Sequence, residues 1–454
     1  MSKPINPRVL IITYYWPPSG GSGVQRWLKF TKYLRDFGWE PIIYTPENPE
    51  YPAIDKSLEK DIPEGITILR QPITEPYAAY RKFTGRKKTD KLGAGFASEK
   101  KQVSFTEKLS RWVRGNFFIP DARRFWIRPS VKYLNQWLSA NHVDAIVSTG
   151  PPHSMHLIAL GVKKKFPAIK WLADFRDPWT NIDFYDQLML TQFADKKHHR
   201  LEASVLTDAD VVVSVGHTMN EEFKELWKIK HPGQPLPDKF KVVHNGYDHA
   251  DTAAQTAERD VKFSLAHIGT LNASRNPQVL WNVLQQLVAE NTDFADDFQL
   301  KLVGQVDAEV RESVSKAGLD KYLVKIDYLP HTEVLNVTNQ SRVLLLLINR
   351  TKNAKGILTG KVFEYMSTGN PVLAIGPPDG DLAHLLNETS SGSISDFDDE
   401  TDLRNNLLEL HRTFRAGTLT VGTLIGAEAY SRKALTGKIA ELLFLEQSTN
   451  FEKK

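Results

Sequence analysis

Residues Val9–Tyr44 read VLIITYYWPPSGGSGVQRWLKFTKYLRDFGWEPIIY. The short run Val9–Tyr14 contains β-branched residues, which is typical of a buried strand, and Val24–Phe37 repeats apolar residues at helical spacing. Gly38 ends that helix, and Glu40–Tyr44 is apolar again. This order predicts a β-loop-α-β unit, the building block of parallel sheets.

The same alternation continues along both halves of the chain. In the first half, further strands are predicted at Asp144–Ser148, Lys170–Asp174, Asp210–Val215 and Lys241–His244. In the second half, they are predicted at Lys262–Gly269, Gln299–Gly304, Leu323–Tyr328, Val343–Ile348 and Pro371–Ile375. We therefore expect two consecutive doubly wound α/β domains.

A polar stretch rich in Ala and Thr separates the two halves and sets the predicted boundaries. We predict an N-terminal Rossmann-like domain at 1–248, a linker at 249–260 and a C-terminal Rossmann-like domain at 261–430. Residues 431–454 are expected to form a C-terminal helix that could pack back on the N-terminal domain.

The composition excludes several classes of protein. Hydrophobic residues make up 41% and charged residues 25% of the 454, which argues against a disordered, collagen-like or coiled-coil chain. The absence of cysteine excludes disulfides, thiolate metal sites and cysteine nucleophiles. Each apolar run is shorter than the roughly 20 residues that a membrane-spanning helix needs. We interpret the protein as cytoplasmic.

One basic and aromatic segment, residues 80–133, interrupts the alternation of predicted strands and helices. It contains 15 Lys and Arg residues, and its net charge is about +11, whereas the rest of the chain carries about −7. Cations interleaved with Phe and Trp suit an anionic membrane surface, so we expect peripheral contact with the inner membrane face. The alternative is a solvated loop with a few core aromatics. Nucleic acid is not expected, because no nucleic-acid-binding motif accompanies the charge.

The loop Pro17–Gly23 follows the first predicted strand and precedes a helix. Its glycines Gly20, Gly21 and Gly23 would let a ligand approach the backbone, and a helix N-terminus offers N–H groups to a phosphate. The loop is not a dinucleotide fingerprint, because Arg26 stands where the third glycine would fall. The alternative is a tight strand–helix turn.

Two polar motifs follow later strands of the first half. Gly150–His153 (GPPH) comes after one strand, and Asp174–Trp179 (DFRDPW) ends the next. Ligands of open α/β sheets bind beyond the carboxyl ends of the strands. The candidates for contacts with sugar hydroxyls, phosphate or acceptor are His153, Asp174, Arg176 and Asp177. The alternative is a self-contained network of Asp and Arg that packs the tryptophan.

The loop Gly269–Arg275 (GTLNASR) follows the first predicted strand of the second half. It lies before a predicted helix, as the first glycine loop does, and it adds a cation. The guanidinium of Arg275 could hold phosphate oxygens bidentately. The alternative is an ordinary surface arginine.

The most specific motif is Gly356–Pro371 (GILTGKVFEYMSTGNP). A glycine loop opens a short amphipathic helix, and Gly369 ends it before the next strand. Lys361 near the helix start can face a phosphate, and Glu364 lies three residues on, along the same face. A carboxylate at that place can accept two hydrogen bonds from a ribose diol. The alternative is an exposed Lys–Glu pair.

The sequence GKVFEYM at 360–366 followed by GNPVL at 369–373 resembles the donor-binding signature of GT-B glycosyltransferases, specifically glycosyltransferase family 4. The two glycine loops and the NGYD at 245–248 match in order and spacing, so the resemblance covers almost the whole chain. It implies two Rossmann-like domains facing across a cleft, a nucleotide-diphosphate sugar as co-substrate, retention of configuration, and neither cofactor nor metal.

The resemblance also implies roles for individual residues. Glu364 would bind the donor ribose, and Arg275 and Lys361 would bind the diphosphate and act catalytically. Arg176 and Asp177 fall where the family contacts the transferred sugar or the acceptor. The remaining donor-site positions are Gly20, Gly21, Gly23, Gly269, Thr270 and Gly360.

Two positions depart from the family pattern. The family often has a glutamate eight residues before Glu364, but Gly356 stands there. It also often has an arginine directly after the glycine that corresponds to Gly269, where this chain has Thr270. Arg275 would therefore carry more of the phosphate binding, and the identity of the donor sugar is left open.

The function expected from these motifs is sugar transfer to a glycan or lipid-linked acceptor, in the synthesis of cell-surface polysaccharide. A retaining transfer needs stabilisation of phosphate charge more than it needs a nucleophile. The alternatives are a nucleotide-sugar epimerase of the same architecture and a non-catalytic carbohydrate- or lipid-binding protein. The details of the first glycine loop disfavour a dehydrogenase.

Overall fold

The computed structural model describes residues 6–75, 105–249, 258–329, 331–419 and 426–444. The chain forms two compact units, one of Met1–His244 with Arg432–Lys454 and the other of Asn245–Ser431. Parts of three predicted segments lie outside the described residues: 250–257 of the linker, 80–104 of the basic segment and 445–454 of the C-terminus.

The first unit is built on a seven-stranded parallel sheet in the order β3-β2-β1-β4-β5-β6-β7. Its strands are β1 Arg8–Ile12, β2 Glu40–Pro46, β3 Thr67–Gln71, β4 Ala145–Gly150, β5 Lys170–Phe175, β6 Val211–Ser214 and β7 Phe240–Val242. The central strands are buried on both faces, which explains their unbroken apolar runs.

Helices cover both faces of this sheet. They are α1 Ser22–Leu34, α2 Phe105–Phe117, α3 Arg124–Ala140, α4 Ser154–Lys165, α5 Gln192–Asp208 and α6 His217–Lys230. Helix α1 begins directly after Gly21, whose φ of 90° favours glycine. Its apolar side chains, Trp27 and Leu28 among them, pack against Val9 and Ile11 of β1.

The second unit has a six-stranded parallel sheet in the order β10-β9-β8-β11-β12-β13. Its strands are β8 Phe263–Ile268, β9 Phe298–Val303, β10 Leu323–Ile326, β11 Val343–Leu347, β12 Val372–Ile375 and β13 Gly392–Ser395. Its helices are α7 Gln278–Glu290, α8 Thr292–Asp297, α9 Ala308–Lys316, α10 His331–Gln340, α11 Gly360–Thr368, α12 Asp381–Thr389 and α13 Glu400–Arg415.

The last described helix, α14 (Arg432–Phe444), belongs to the first unit. Its apolar residues Leu435 and Ile439 join the cluster that holds α1 against the first sheet. Lys433 adds an exposed ion pair of 2.7 Å to Asp36. The units divide after His244, four residues before the predicted boundary.

The two parallel, doubly wound sheets confirm the predicted α/β class. Strands β3 and β13 were not predicted from the sequence. Both lie at the edge of a sheet, and their residues are only partly buried, so their sequences TILRQ and GSIS lack a long apolar run.

The structure corrects the interpretation of residues 80–133 as one insertion. Helix α3 begins inside that range and packs on the domain core, where Trp126 is buried and stacks on Tyr44 with ring centroids 5.0 Å apart. Arg123 is also buried, and its Nε lies 3.2 Å from a Glu75 carboxylate oxygen. Some of the basic and aromatic residues predicted to face a membrane therefore lie in the core of the first unit. None of the described helices combines the length and the apolar composition that crossing a bilayer requires.

Candidate functional site

The strand order of the second unit reverses between β8 and β11. At such a switch point the loops after the two strands diverge, and ligands of open α/β sheets bind there. The loop after β8 carries Gly269, Thr270 and Arg275, and the loop after β11 leads into α11 with Lys361 and Glu364. We call these five residues the switch-point cluster.

Gly269 and Lys361 are in direct contact within this cluster. The Lys361 Nζ donates to the backbone carbonyl of Ile268, and a Cβ on Gly269 would overlap that Nζ. Gly269 also has a φ of 122°, which side chains rarely tolerate. A Cβ on the neighbouring Gly304 would lie 2.9 Å from the Gly269 carbonyl oxygen. Small residues are thus required for the ammonium to reach the end of β8.

The second cation of the cluster is fixed across the switch point. Arg275 Nε donates to the Asn349 side-chain oxygen at 2.5 Å, which ties the loop after β8 to the residues that follow β11. Burial lowers the pKa of Lys361, the nearby positive charge of Arg275 lowers it further, and Glu364 opposes the shift. Two cations whose fields overlap form a site suited to an anion such as a diphosphate.

Glu364 and Gly360 face outward from α11. Glu364 is exposed on the helix, one turn beyond Lys361. Gly360 is also exposed, and a Cβ there would meet nothing within 4 Å. Packing within the described protein therefore gives no reason for a glycine at the start of α11, whereas close approach of a ligand to the helix N-terminus would give one.

His267 lies beneath the cluster on β8 and was not predicted. Burial, together with the charges of Lys361 and Arg275, lowers its pKa to about 4. The ring is therefore neutral near pH 7 and adds no third charge.

Asn349 was also not predicted from the sequence. A signal was available, since it is a polar residue close behind the strongly apolar strand β11.

The corresponding switch point of the first unit lies between β1 and β4. Arg176, directly after β5, holds the loops there together: its Nη1 donates to the Gly23 carbonyl at 2.7 Å and its Nη2 to the Pro151 carbonyl. A Cβ on Gly23 would lie 3.0 Å from Nη1. Arg176, predicted as catalytic, is thus engaged with backbone carbonyls in this structure, and we treat it as a positioning residue.

The acceptor-side assignment of Asp174 needs correction. Its side chain has no exposed surface and forms an ion pair of 2.7 Å with Arg26, which is 1% exposed. Trp27 Nε1 and Thr149 Oγ1 also donate to it, at 2.7 and 2.9 Å. A carboxylate enclosed by three donors cannot reach a substrate, so Asp174 is structural.

The other acceptor-side candidates differ in their exposure. His153 is buried, with its ring parallel to Trp179 at a centroid distance of 4.7 Å. Burial holds the pKa of His153 well below its ordinary value, so the ring is neutral. Asp177, by contrast, is exposed at the carboxyl end of β5. Of the two, only Asp177 is exposed.

The first glycine loop is shaped by contacts within its own unit. Gly20 donates its N–H to the Ala53 carbonyl at 2.9 Å, and a Cβ on it would lie 3.1 Å from the Asp55 Cβ. Gly21 supplies the positive φ that starts α1. These glycines have structural reasons of their own, which Gly360 lacks.

The fold matches solved glycosyltransferase structures. A glycosyltransferase from Rickettsia africae aligns with 96% of this chain and 98% of its own length, at 13% identity and a TM-score of 0.61. The Anabaena protein HepE in complex with UDP aligns over 96% and 99%, at 13% identity and a TM-score of 0.57, and HepE is also solved with UDP-glucose. A Listeria monocytogenes protein proposed as a UDP-N-acetylglucosamine 2-epimerase aligns over 96% and 95%, at 11% identity and a TM-score of 0.50.

No protein-family model and no curated protein sequence matches the chain. At these identities the structural matches establish the fold. Its two parallel sheets of seven and six strands are those of the GT-B glycosyltransferases.

Proposed function

We propose that this chain is a retaining glycosyltransferase of the family 4 type, which transfers a sugar from a nucleotide-diphosphate sugar to a glycan or lipid-linked acceptor. The observation that carries the proposal is the convergence of Arg275 and Lys361 beside Gly269 at the β8/β11 switch point. In this proposal the exposed Glu364, one helical turn away, accepts hydrogen bonds from a ribose diol.

The proposed mechanism uses these cations on the leaving group. As the bond between the sugar and the nucleotide diphosphate breaks, negative charge grows on the leaving phosphate oxygen, and fixed cations stabilise that charge without reorganising. The same oxygen can take the proton of the acceptor hydroxyl, which leads to attack from the face that the nucleotide leaves. The protein then needs neither a nucleophile nor a general base of its own.

A nucleotide-sugar epimerase is the second candidate, because the Listeria protein shares this fold. Product analysis with and without an acceptor separates the two activities. A sugar joined to an acceptor would support transfer, and an epimerised nucleotide sugar formed without acceptor would overturn it. A non-catalytic protein would bind nucleotide sugars and release neither product.

Replacing Glu364 with alanine is expected to lower kcat/KM for the nucleotide sugar at least about tenfold, because the ribose loses its acceptor. Glu312→Ala, which removes a similarly exposed glutamate from α9, should leave kcat/KM unchanged. Thermal stabilisation by a panel of nucleoside diphosphates provides a second readout, since a bound ligand raises the melting temperature. Equal stabilisation of wild type and Glu364→Ala would place the nucleotide elsewhere.

Activity is expected to survive EDTA. The two cations of the switch-point cluster take the role that a divalent ion plays in other sugar transfers, and the described residues contain no group of three His, Asp or Glu side chains placed to share a metal. Initial rates with and without the chelator test this. A rate that EDTA abolishes and Mn²⁺ or Mg²⁺ restores would contradict the proposed mechanism.

A further inference from the structure

Four large hydrophobic side chains are exposed on neighbouring segments of the first unit. Phe117, Phe125, Met189 and Phe193 are 58%, 53%, 48% and 76% exposed. They come from the end of α2, the start of α3, the loop before α5 and the first turn of α5. We call these four side chains the apolar patch.

Hydrogen bonds between these segments hold the patch together. The Asn116 side chain donates to the Met189 carbonyl at 3.2 Å and accepts from the Thr191 N–H at 2.7 Å. The Arg124 guanidinium donates to the Phe117 carbonyl, so α3 is tied to the end of α2. The patch is therefore a preformed surface that the fold builds from the adjacent ends of α2 and α3 and from the distant segment 189–193.

The backbone at Met189 supports a role beyond folding. Its φ is 52°, in the left-handed region that residues other than glycine, asparagine and aspartate seldom occupy. This conformation costs free energy, yet the side chain it presents is half exposed and contributes little to the core. Strain that exposes an apolar side chain points to a binding surface.

Exposed cations surround the patch at helical spacing. On α3, Arg128 and Lys132 follow Phe125 by three and seven residues, and on α5, Lys196 and Arg200 follow Phe193 in the same way. Residues three or seven apart share one face of a helix. Arg124 adds a guanidinium 5.5 Å from the Phe125 ring centroid.

Acids also lie on these segments. Asp121 accepts from the Ser154 N–H at 2.8 Å, and Asp195 accepts from the Tyr185 hydroxyl at 3.0 Å, while Asp183 and Asp186, shortly before Met189, are exposed. The five cations named above outnumber these four acids, so the segments that carry the patch have a net positive charge. In sequence, the strongly basic run 80–104 leads directly into α2.

We propose that this surface docks the protein on an anionic lipid bilayer. The three phenylalanines and the methionine would enter the boundary between headgroups and acyl chains, while the surrounding cations meet lipid phosphates. This assignment replaces Trp126 and Arg123, which the fold buries, with residues outside the segment 80–133, namely Met189, Phe193, Lys196 and Arg200. It does not depend on sugar transfer.

Co-sedimentation of the full chain with vesicles tests the proposal. Wild type should bind phosphatidylcholine vesicles containing about one third phosphatidylglycerol, and binding should weaken in high salt because surface charges are screened. The triple variant Phe117→Ser, Phe125→Ser and Phe193→Ser should lose at least tenfold in affinity. A quadruple variant should lose about 600-fold, since each of its four cations contributes about fivefold; its changes are Arg128→Ser, Lys132→Ser, Lys196→Ser and Arg200→Ser.

Matched controls separate the patch from exposed residues in general. Ile229→Ser, Val261→Ser and Tyr328→Ser together remove three exposed apolar side chains outside the patch and should leave binding unchanged. Stabilisation by nucleoside diphosphates reports separately on folding and on the donor site. The proposal would be overturned if wild type bound no vesicles, if it bound neutral and anionic vesicles equally, or if the control variant lost as much binding. Binding of single-stranded RNA without vesicle binding would also overturn it.

Discussion

Replacing Lys361 with alanine is expected to lower kcat for sugar transfer by about 100- to 1000-fold, with a smaller change in KM for the donor. The reason is that the leaving diphosphate gains charge mainly in the transition state, and an interaction that strengthens there acts on kcat. Arg275, held by Asn349, remains in place and accounts for the residual rate. Initial rates at varied donor concentration measure both constants.

Gly269→Ala should reproduce much of this defect with Lys361 unchanged in sequence. The added Cβ overlaps the Lys361 Nζ, so the ammonium must move from the end of β8. Gly318→Ala is the matched control, because Gly318 also has a positive φ, of 68°, but a Cβ there meets nothing within 4 Å. Near-wild-type kcat in both Lys361→Ala and Gly269→Ala would remove the switch-point cluster from the mechanism.

Replacing Asp174 with asparagine is expected to lower the free energy of unfolding by about 3–5 kcal/mol, because Arg26 is left as an uncompensated buried charge. Asp379→Asn, which breaks an exposed pair with Lys355, should leave it nearly unchanged. Urea unfolding of the three proteins measures the difference. Equal stability of wild type and Asp174→Asn would contradict the structural role.

The same pair predicts a dependence of stability on pH. Burial alone would raise the pKa of Asp174, but Arg26 and the neutral donors outweigh burial and hold the pKa below its ordinary value. The stabilisation is therefore complete above the unfolded-state pKa, near 4, and is lost as pH falls through the lower native-state pKa. The Asp174→Asn protein should lack this part of the acid sensitivity.

The fold class and the elements that carry the switch-point cluster could be predicted from the amino-acid sequence alone. The runs of β8 and β11 are apolar because both faces of these strands are buried, and this pattern is local and readable. Gly269, Lys361 and Glu364 follow such runs, so their place beyond the carboxyl ends of parallel strands could be predicted from order alone.

Contacts between distant segments determine which polar side chains are engaged within the fold and which face outward. Asp174 and Asp177 are three residues apart and looked equivalent in sequence, yet one is enclosed by Arg26, 148 residues away, and the other is exposed. The apolar patch likewise joins residues from three segments. Periodicity records which face of an element is buried, but the partner of a polar side chain depends on contacts between distant segments, which no local pattern encodes.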